Sequence, residues 1–193
     1  MFAAFRKRLA RGAIRLRSAK QFARSQNGAT AVEFALVAAP FFGLLVALFQ
    51  TALVFFASRV LDEVTEEASR YILTGQAQQG NVTQSGFTNY LCTSANTASL
   101  VSALFTCANI MVNVQTYDSF GSSSCASPTL TYNKSGAVTN TWSYSPGGPN
   151  DIVVVEVMYQ WPVMLGPLGF NLSNLSNGDR LLMSCAVFKN EPY

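Results

Sequence analysis

The longest apolar segment of the chain lies near its beginning. Residues 34–57 form a run of 24 residues in which only Gln50 and Thr51 are clearly polar. At about 1.5 Å of rise per residue, a helix of this length exceeds the roughly 30 Å hydrocarbon core of a bilayer. The run is also longer than the apolar region of an ordinary secretory signal. The pattern therefore predicts a membrane-spanning helix, in which Pro40 and Gly43 are tolerated.

The helical pattern continues beyond the apolar run, now with two faces. Charged residues cover most of the surface from Arg59 to Arg70, and the apolar residues repeat at helical spacing. This apolar stripe consists of Val60, Leu61, Val64, Ala68, Tyr71 and Ile72. It needs a partner, most simply the globular domain that follows. With Gly75 as a stop signal, we predict one helix from Ala29 to Thr74.

The remaining residues predict a small α+β domain with an antiparallel sheet. Residues 75–90 are polar and glycine-containing, which indicates a linker or loop, and residues 94–106 have a helical pattern. Alternation at residues 110–115 predicts a half-buried strand. The sequence further predicts a hairpin of residues 129–132 and 138–144, a loop at 162–179 and a last strand, Leu181–Phe188.

The segment Ile152–Tyr159 is a nearly continuous, β-branched apolar run. Such a run favours a central strand covered on both faces. Glu156 interrupts it, and we interpret this carboxylate as an edge or rim residue. The long and short helices together can cover a small sheet.

Charge is distributed unevenly along the chain. Charged residues make up only 12% of the sequence, yet the first 28 residues contain eight basic side chains and no acidic one. A basic arm can bind nucleic acid. Because this arm adjoins a membrane segment, the positive-inside bias explains it more simply. We therefore expect a lipid bilayer, and no nucleic acid, as the partner of this region.

The chain has four cysteines and no histidine. The cysteines lie after the apolar run, at Cys92, Cys107, Cys125 and Cys185, and no Cys-x-x-Cys pair occurs. This spacing disfavours a metal site and favours two disulfides in an oxidising compartment. Four cysteines allow three pairings. Our hypothesis pairs Cys92 with Cys107, which would hold the short helix at both ends, and Cys125 with Cys185.

Catalysis finds little support in the sequence. Without histidine, a Ser/His or Cys/His arrangement is impossible, and no spacing pairs two of the carboxylates Asp118, Asp151, Glu156 and Asp179. Gly147 and Gly148 lie between prolines and not between a strand and a helix, so they do not form a phosphate loop. We expect no enzyme activity, no catalytic residue and no cofactor or metal.

One carboxylate stands apart from the others. Glu33 is the only charged residue between Arg24 and Arg59. A carboxylate inside a bilayer costs about 2.5–3.5 kcal/mol on insertion scales, whereas at the cytosolic interface it would be hydrated. If the chain were cut after Gly28, the new ammonium group of Ala29 would lie one helical turn from Glu33, about 6 Å along the axis. Pairing with that terminus, its own or a neighbour's, would select subunit register more than add stability.

These residues resemble a type IV prepilin processing site: a basic leader, Gly28, small or apolar residues, and Glu33 followed by Phe34. The local sequence Gly-Ala-Thr-Ala-Val-Glu-Phe-Ala resembles that of the TadE-like proteins of the tight-adherence (Flp) pilus system. Residues 145–162 resemble the middle of such proteins, and residues 187–193 resemble their C-terminus. The major Flp pilin, by contrast, is very short and has tyrosine after the glutamate, so the resemblance implies a subunit other than the bulk fibre protein.

The resemblance implies a pseudopilin or minor pilin that a prepilin peptidase cuts between Gly28 and Ala29. Residues 1–28 would be the leader, residues 29–74 the long helix that spans the bacterial inner membrane at 34–57, and residues 75–193 a periplasmic domain. The N-terminus would be cytoplasmic. Expected partners are the peptidase, other pseudopilins or pilins, and inner-membrane platform proteins. The alternative is an uncleaved single-pass scaffold that binds other envelope or secretion components.

Overall fold

The computed structural model describes residues 27–93, 96–134, 136–164, 166 and 169–193. The chain divides into two compact units, residues 1–45 and 46–193. The predictions for the basic leader before Asn27 lie outside the described residues. The boundaries of the leader, helix and outer domain therefore stay predictions.

The first helix, α1, runs from Asn27 to Leu73. It begins two residues before the predicted start, so Gly28 lies in a helical turn. Its end agrees with the glycine stop. Gly75 has a positive φ of 78° and donates its backbone N–H to the carbonyl oxygen of Ile72 at 2.9 Å, a helix-ending geometry that glycine adopts without strain.

The predicted apolar stripe of α1 is buried, as expected. Val60, Leu61, Val64, Ala68 and Ile72 are all 3% exposed or less and belong to the main core of residues 46–193. This core extends further back along α1 than the stripe, because it also contains Val54 and Ala57. The last turn of the predicted membrane span is therefore partly covered by protein.

Three short helices follow: α2 (Gln76–Gln79), α3 (Gln84–Thr93) and α4 (Ala98–Leu104). The prediction of a loop over residues 75–90 was wrong, because Phe87 and Leu91 anchor α3 in the core with no exposed surface. The polar residues of α3 are exposed or half-buried, and burial of the apolar side chains outweighs their low helix propensity. The helix predicted over residues 94–106 is shorter than expected.

The sheet has three antiparallel strands in the order β1–β2–β3: Met111–Tyr117, Ile152–Trp161 and Arg180–Lys189. The fold is therefore α+β, with a long apolar helix, as predicted. In β2 the residues from Ile152 to Tyr159 are buried without interruption, which confirms a central strand covered on both faces. Alternate residues of β2, such as Val153 and Val155, face the core that contains α1.

The opposite face of the sheet is covered by irregular chain. Leu130, Met158 and Leu181 form a second, smaller core there, with Trp142 packed against it. The predicted hairpin is reduced to a single bridge between Tyr132 and Val138 within the described residues.

The predicted edge or rim position of Glu156 was wrong. This residue lies on the central strand and is only 8% exposed, not at an edge or rim. Its neighbour across the strand pair is Asn113, whose Nδ2 donates to Oε2 of Glu156 at 2.8 Å. A hydrogen-bonded partner allows a polar group to be buried in a strand.

Candidate processing and assembly site

The candidate processing site lies in the first turns of α1. Gly28, Ala29, Glu33 and Phe34 are all exposed, and the Phe34 ring is 71% exposed. Helical spacing puts Glu33 four residues, or about one turn, after Ala29. The geometry thus allows the pairing inferred from the sequence. Whether Gly28 and Ala29 form a cleavage site, and whether Glu33 and Phe34 act in subunit assembly, stay predictions.

Gly28 has open space around it. A Cβ atom added there meets no atom of the described residues within 4 Å, and its φ is not in the left-handed region. Neither packing against the described residues nor backbone geometry therefore requires glycine at this position. Gly43, by contrast, is buried within the same helix.

Glu33 has no hydrogen-bond or ion-pair partner within the described part of the chain. The ion pair found there, between Arg59 and Asp62 at 3.6 Å, is exposed and contributes little to stability. An unpaired carboxylate at the start of a long apolar run can accept a cation, for example an ammonium group.

The part of α1 that follows Glu33, residues 34–57, is apolar on all sides apart from Gln50 and Thr51. Within the described residues, α1 is the one helix that is long and apolar enough to span a membrane. Its most apolar window of 18 residues has a mean hydropathy of 2.3. Only 6% of that window is buried. A helix that is apolar all round and largely uncovered is typical of a membrane span. These properties fit a single-pass membrane protein.

A second feature, at the other end of α1, joins the two outer stretches that carried the family resemblance. We call it the tail clasp: the turn Pro146–Asp151, the tail Asn190–Tyr193 and the end of α1. The Asn190 side chain is 2% exposed. Its Nδ2 donates to the carbonyl oxygens of Pro146 and Gly148, both at 2.9 Å. The tail and the turn are thereby held together, which the sequence pattern did not reveal.

The tail also closes the end of α1. The backbone N–H of Glu191 donates to the carbonyl oxygen of Leu73 at 2.9 Å, which satisfies an acceptor that the helix leaves open. The Tyr193 ring lies against Gly75, where any added Cβ would collide with it. Burial, and then the negative charge of Asp151, raise the pKa of Tyr193.

The turn depends on backbone conformations that few residues adopt. Gly147 has a φ of 69°, and an added Cβ would meet Cγ2 of Thr116 at 2.7 Å. Asn150 has a φ of 66°, which asparagine tolerates better than most residues. The Gly148 N–H donates to Oδ2 of Asp151 at 2.8 Å. These requirements give a structural reason for the sequence Pro-Gly-Gly-Pro-Asn-Asp at residues 146–151.

Two disulfides link the outer domain, in the same pairing as our hypothesis. Cys92–Cys107 joins the end of α3 to a 3-10 turn, with Cα atoms 6.2 Å apart. Cys125–Cys185 joins the loop after β1 to β3, with Cα atoms 5.9 Å apart. The first closes a short loop, and the second attaches the irregular cover to the sheet.

The acidic face of α1 has a structural use. Both carboxylate oxygens of Glu67 accept the backbone N–H of Asn96 at 2.9 Å, and the Tyr71 and Tyr90 rings stack with centroids 4.2 Å apart. Burial, followed by the charge of Glu67, raises the pKa of Tyr90. Among the described residues, no group of three or more carboxylate or cysteine side chains is placed to hold a metal ion.

The fold and these sites define the class: within the described residues, the protein has one candidate membrane helix, a carboxylate near the start of that helix without a partner among them, and a disulfide-linked α+β domain built on the second half of the helix. Residues 28–70 match the family model of the TadE-like proteins. The predicted family is therefore confirmed at these residues, which include Gly28, Ala29, Glu33 and Phe34. No curated protein and no solved structure matches the chain. The family match indicates a role in tight-adherence (Flp) pilus assembly and contact with other pilus components.

Proposed function

We propose that this protein is a pseudopilin, or minor pilin-like subunit, that a prepilin peptidase cuts between Gly28 and Ala29. It then acts in assembly of the tight-adherence pilus through packing and not through catalysis. One observation carries the proposal: the family match begins at Gly28 and includes Glu33. The mature protein would be anchored in the bacterial inner membrane by α1, with its N-terminus cytoplasmic and its outer domain periplasmic.

Two properties of the site support cleavage. The glycine is exposed, so a peptidase can reach it, and its conformation and surroundings do not require glycine. Cleavage would create an ammonium group one turn from Glu33, the exposed carboxylate without a partner among the described residues. Contacts with other pseudopilins and with platform proteins would then form along the uncovered first half of α1.

The decisive measurement is the N-terminal residue of the protein extracted from membranes of cells with active prepilin peptidase. We expect Ala29 as the first residue, and the intact leader in cells that lack the peptidase. Gly28→Leu should leave the full-length form, because a bulky side chain blocks the scissile position. Gly121→Leu is the matched control, since Gly121 is also exposed and an added Cβ there would make only an ordinary contact, with Ser119 Oγ at 3.9 Å. An intact leader in cells with active peptidase would favour the uncleaved scaffold.

The role of Glu33 needs a separate assay. Glu33→Ala should still be cut but should assemble few pili, because the new terminus loses its carboxylate partner. Glu66→Ala removes an exposed carboxylate from the same helix and should leave assembly unchanged. Normal pilus formation by Glu33→Ala would remove the pairing role while leaving the processing site intact.

A further inference from the structure

The outer domain has an exposed apolar segment beside the apolar helix. This segment, Trp161–Met164, follows β2, and its last side chain is 72% exposed. It forms one wall of a cavity of about 70 Å³ whose other wall comes from Gln50, Leu53 and Val54 of α1. The segment therefore lies next to the part of α1 where the predicted membrane span ends.

The neighbouring helix surface is also apolar and exposed. Leu53, Phe55 and Phe56 are each about half exposed or more. The first charged side chain after them is Arg59, which is largely exposed. Charged side chains mark the start of water at a membrane boundary. That boundary therefore lies between the apolar residues of α1 and Arg59.

Gln50 lies on the membrane side of that boundary, beside the segment Trp161–Met164. Both polar atoms of its side-chain amide are buried and have no hydrogen-bond partner within the described residues. An amide without a partner is costly in hydrocarbon, and the burial of this amide, beside the cavity that Trp161–Met164 also lines, keeps it out of contact with the lipid.

Trp161 also suits a position at the membrane interface. One side of its indole packs in the domain, with its ring centroid 6.0 Å from that of Phe105, and the residue is only half-buried. Tryptophan is enriched at membrane interfaces because it combines a large apolar ring with a polar N–H group.

We propose that Trp161–Met164 enters the interface of the bilayer that α1 spans, as a second membrane contact of the protein. The segment contacts lipid and not a protein partner, because it is continuous with the exposed apolar surface of α1. Together, the helix and this segment fix the height and tilt of the outer domain above the membrane. The proposal depends on α1 as a membrane anchor but not on the pilus role.

The test uses depth-dependent fluorescence quenching. The chain has two tryptophans, so Trp142→Phe leaves Trp161 alone. The full-length variant is reconstituted in phosphatidylethanolamine–phosphatidylglycerol vesicles, with or without bromine atoms near the headgroup end of the acyl chains. We expect the emission of Trp161 to be weaker in the brominated vesicles.

A second reporter and a control complete the design. The reporter variant is Trp142→Phe/Trp161→Phe/Met164→Trp. The control is Trp142→Phe/Trp161→Phe/Phe120→Trp, since Phe120 is exposed at 56% and follows β1 at the opposite end of the sheet from Trp161. We expect bromolipid to quench the reporter at position 164 and not the control, with both proteins floating with the vesicles.

Two results would overturn the proposal. One is equal quenching by bromolipid at positions 164 and 120 in proteins that float with the vesicles. The other is a blue-shifted, unquenched emission at position 164 that shifts to the red on dilution into excess lipid, which would place a second protein copy on the segment.

Discussion

The tail clasp offers the sharpest test of how the outer domain is held together. Asn190 is almost completely buried, and its side chain donates two hydrogen bonds to backbone carbonyls of the turn 146–151. Asn190→Ala removes both. A neutral hydrogen bond contributes about 1 kcal/mol net, so we expect a loss of about 2 kcal/mol in the free energy of unfolding.

The loss should not be larger, because neither acceptor is left without a donor. The Pro146 carbonyl also accepts Nε2 of Gln78 at 2.8 Å, and the Gly148 carbonyl also accepts the N–H of Asp151 at 3.2 Å. The penalty for an unsatisfied buried group is therefore avoided.

Asn190→Asp should cost more than Asn190→Ala at neutral pH. It replaces a donor with a carboxylate oxygen that faces two carbonyl oxygens, and burial adds to the penalty for the charge. Both effects raise the pKa of the introduced carboxyl group in the folded state above the unfolded value of about 3.9. The protonated group donates a hydrogen bond, so the extra destabilisation is smallest below about pH 4 and grows as the pH rises through the folded pKa.

The measurement is urea unfolding of the full chain in detergent, followed by the fluorescence of Trp142 and Trp161 at pH 4 and pH 7. Asn109→Asp is the control, because it makes the same charge change at an exposed asparagine. The reasoning is refuted if Asn190→Asp is no less stable than Asn190→Ala at pH 7, or if Asn190→Ala costs less than about 0.5 kcal/mol.

Three further predictions concern the outer domain. Gly75→Ala should lower the free energy of unfolding by at least about 1–2 kcal/mol, because φ at this position is positive and the added Cβ would collide with the Tyr193 ring, whereas Gly121→Ala should be nearly neutral in the same urea assay. Replacing Cys92 and Cys107 together with serine should cost about 3 kcal/mol, and an equal stability of the variant would show that the disulfide contributes nothing. Burial raises the pKa of Tyr144 to about 12, so an ultraviolet titration should show one phenol that ionises last and is missing in Tyr144→Phe. Because the folded pKa is raised, the contribution of Tyr144 to stability is present below pH 10 and lost as the pH rises towards 12, and the phenylalanine variant should lack that loss.

The limits of the sequence are clearest where two distant segments meet. The polar composition of residues 84–93 disfavours a helix, and only the core site that accepts Phe87 and Leu91 makes α3 stable. Glu156 is compatible with an edge position until the cross-strand partner Asn113 is known. Both errors have the same physical cause, since tertiary contacts outweighed local preference.

The sequence by itself determined the long helix, its change from an all-round apolar surface to a one-sided stripe, its stop at Gly75 and the central strand of the sheet. It did so because hydrophobic period and backbone freedom are local properties. It also placed Glu33 about one turn after Ala29 on that helix. Only the tertiary structure decided that Asn190 would meet a turn 44 residues earlier in the chain, and that the domain core would start at Val54, within the apolar run. Hydrogen-bond partners and burial across such separations depend on how the chain packs, which no local pattern contains.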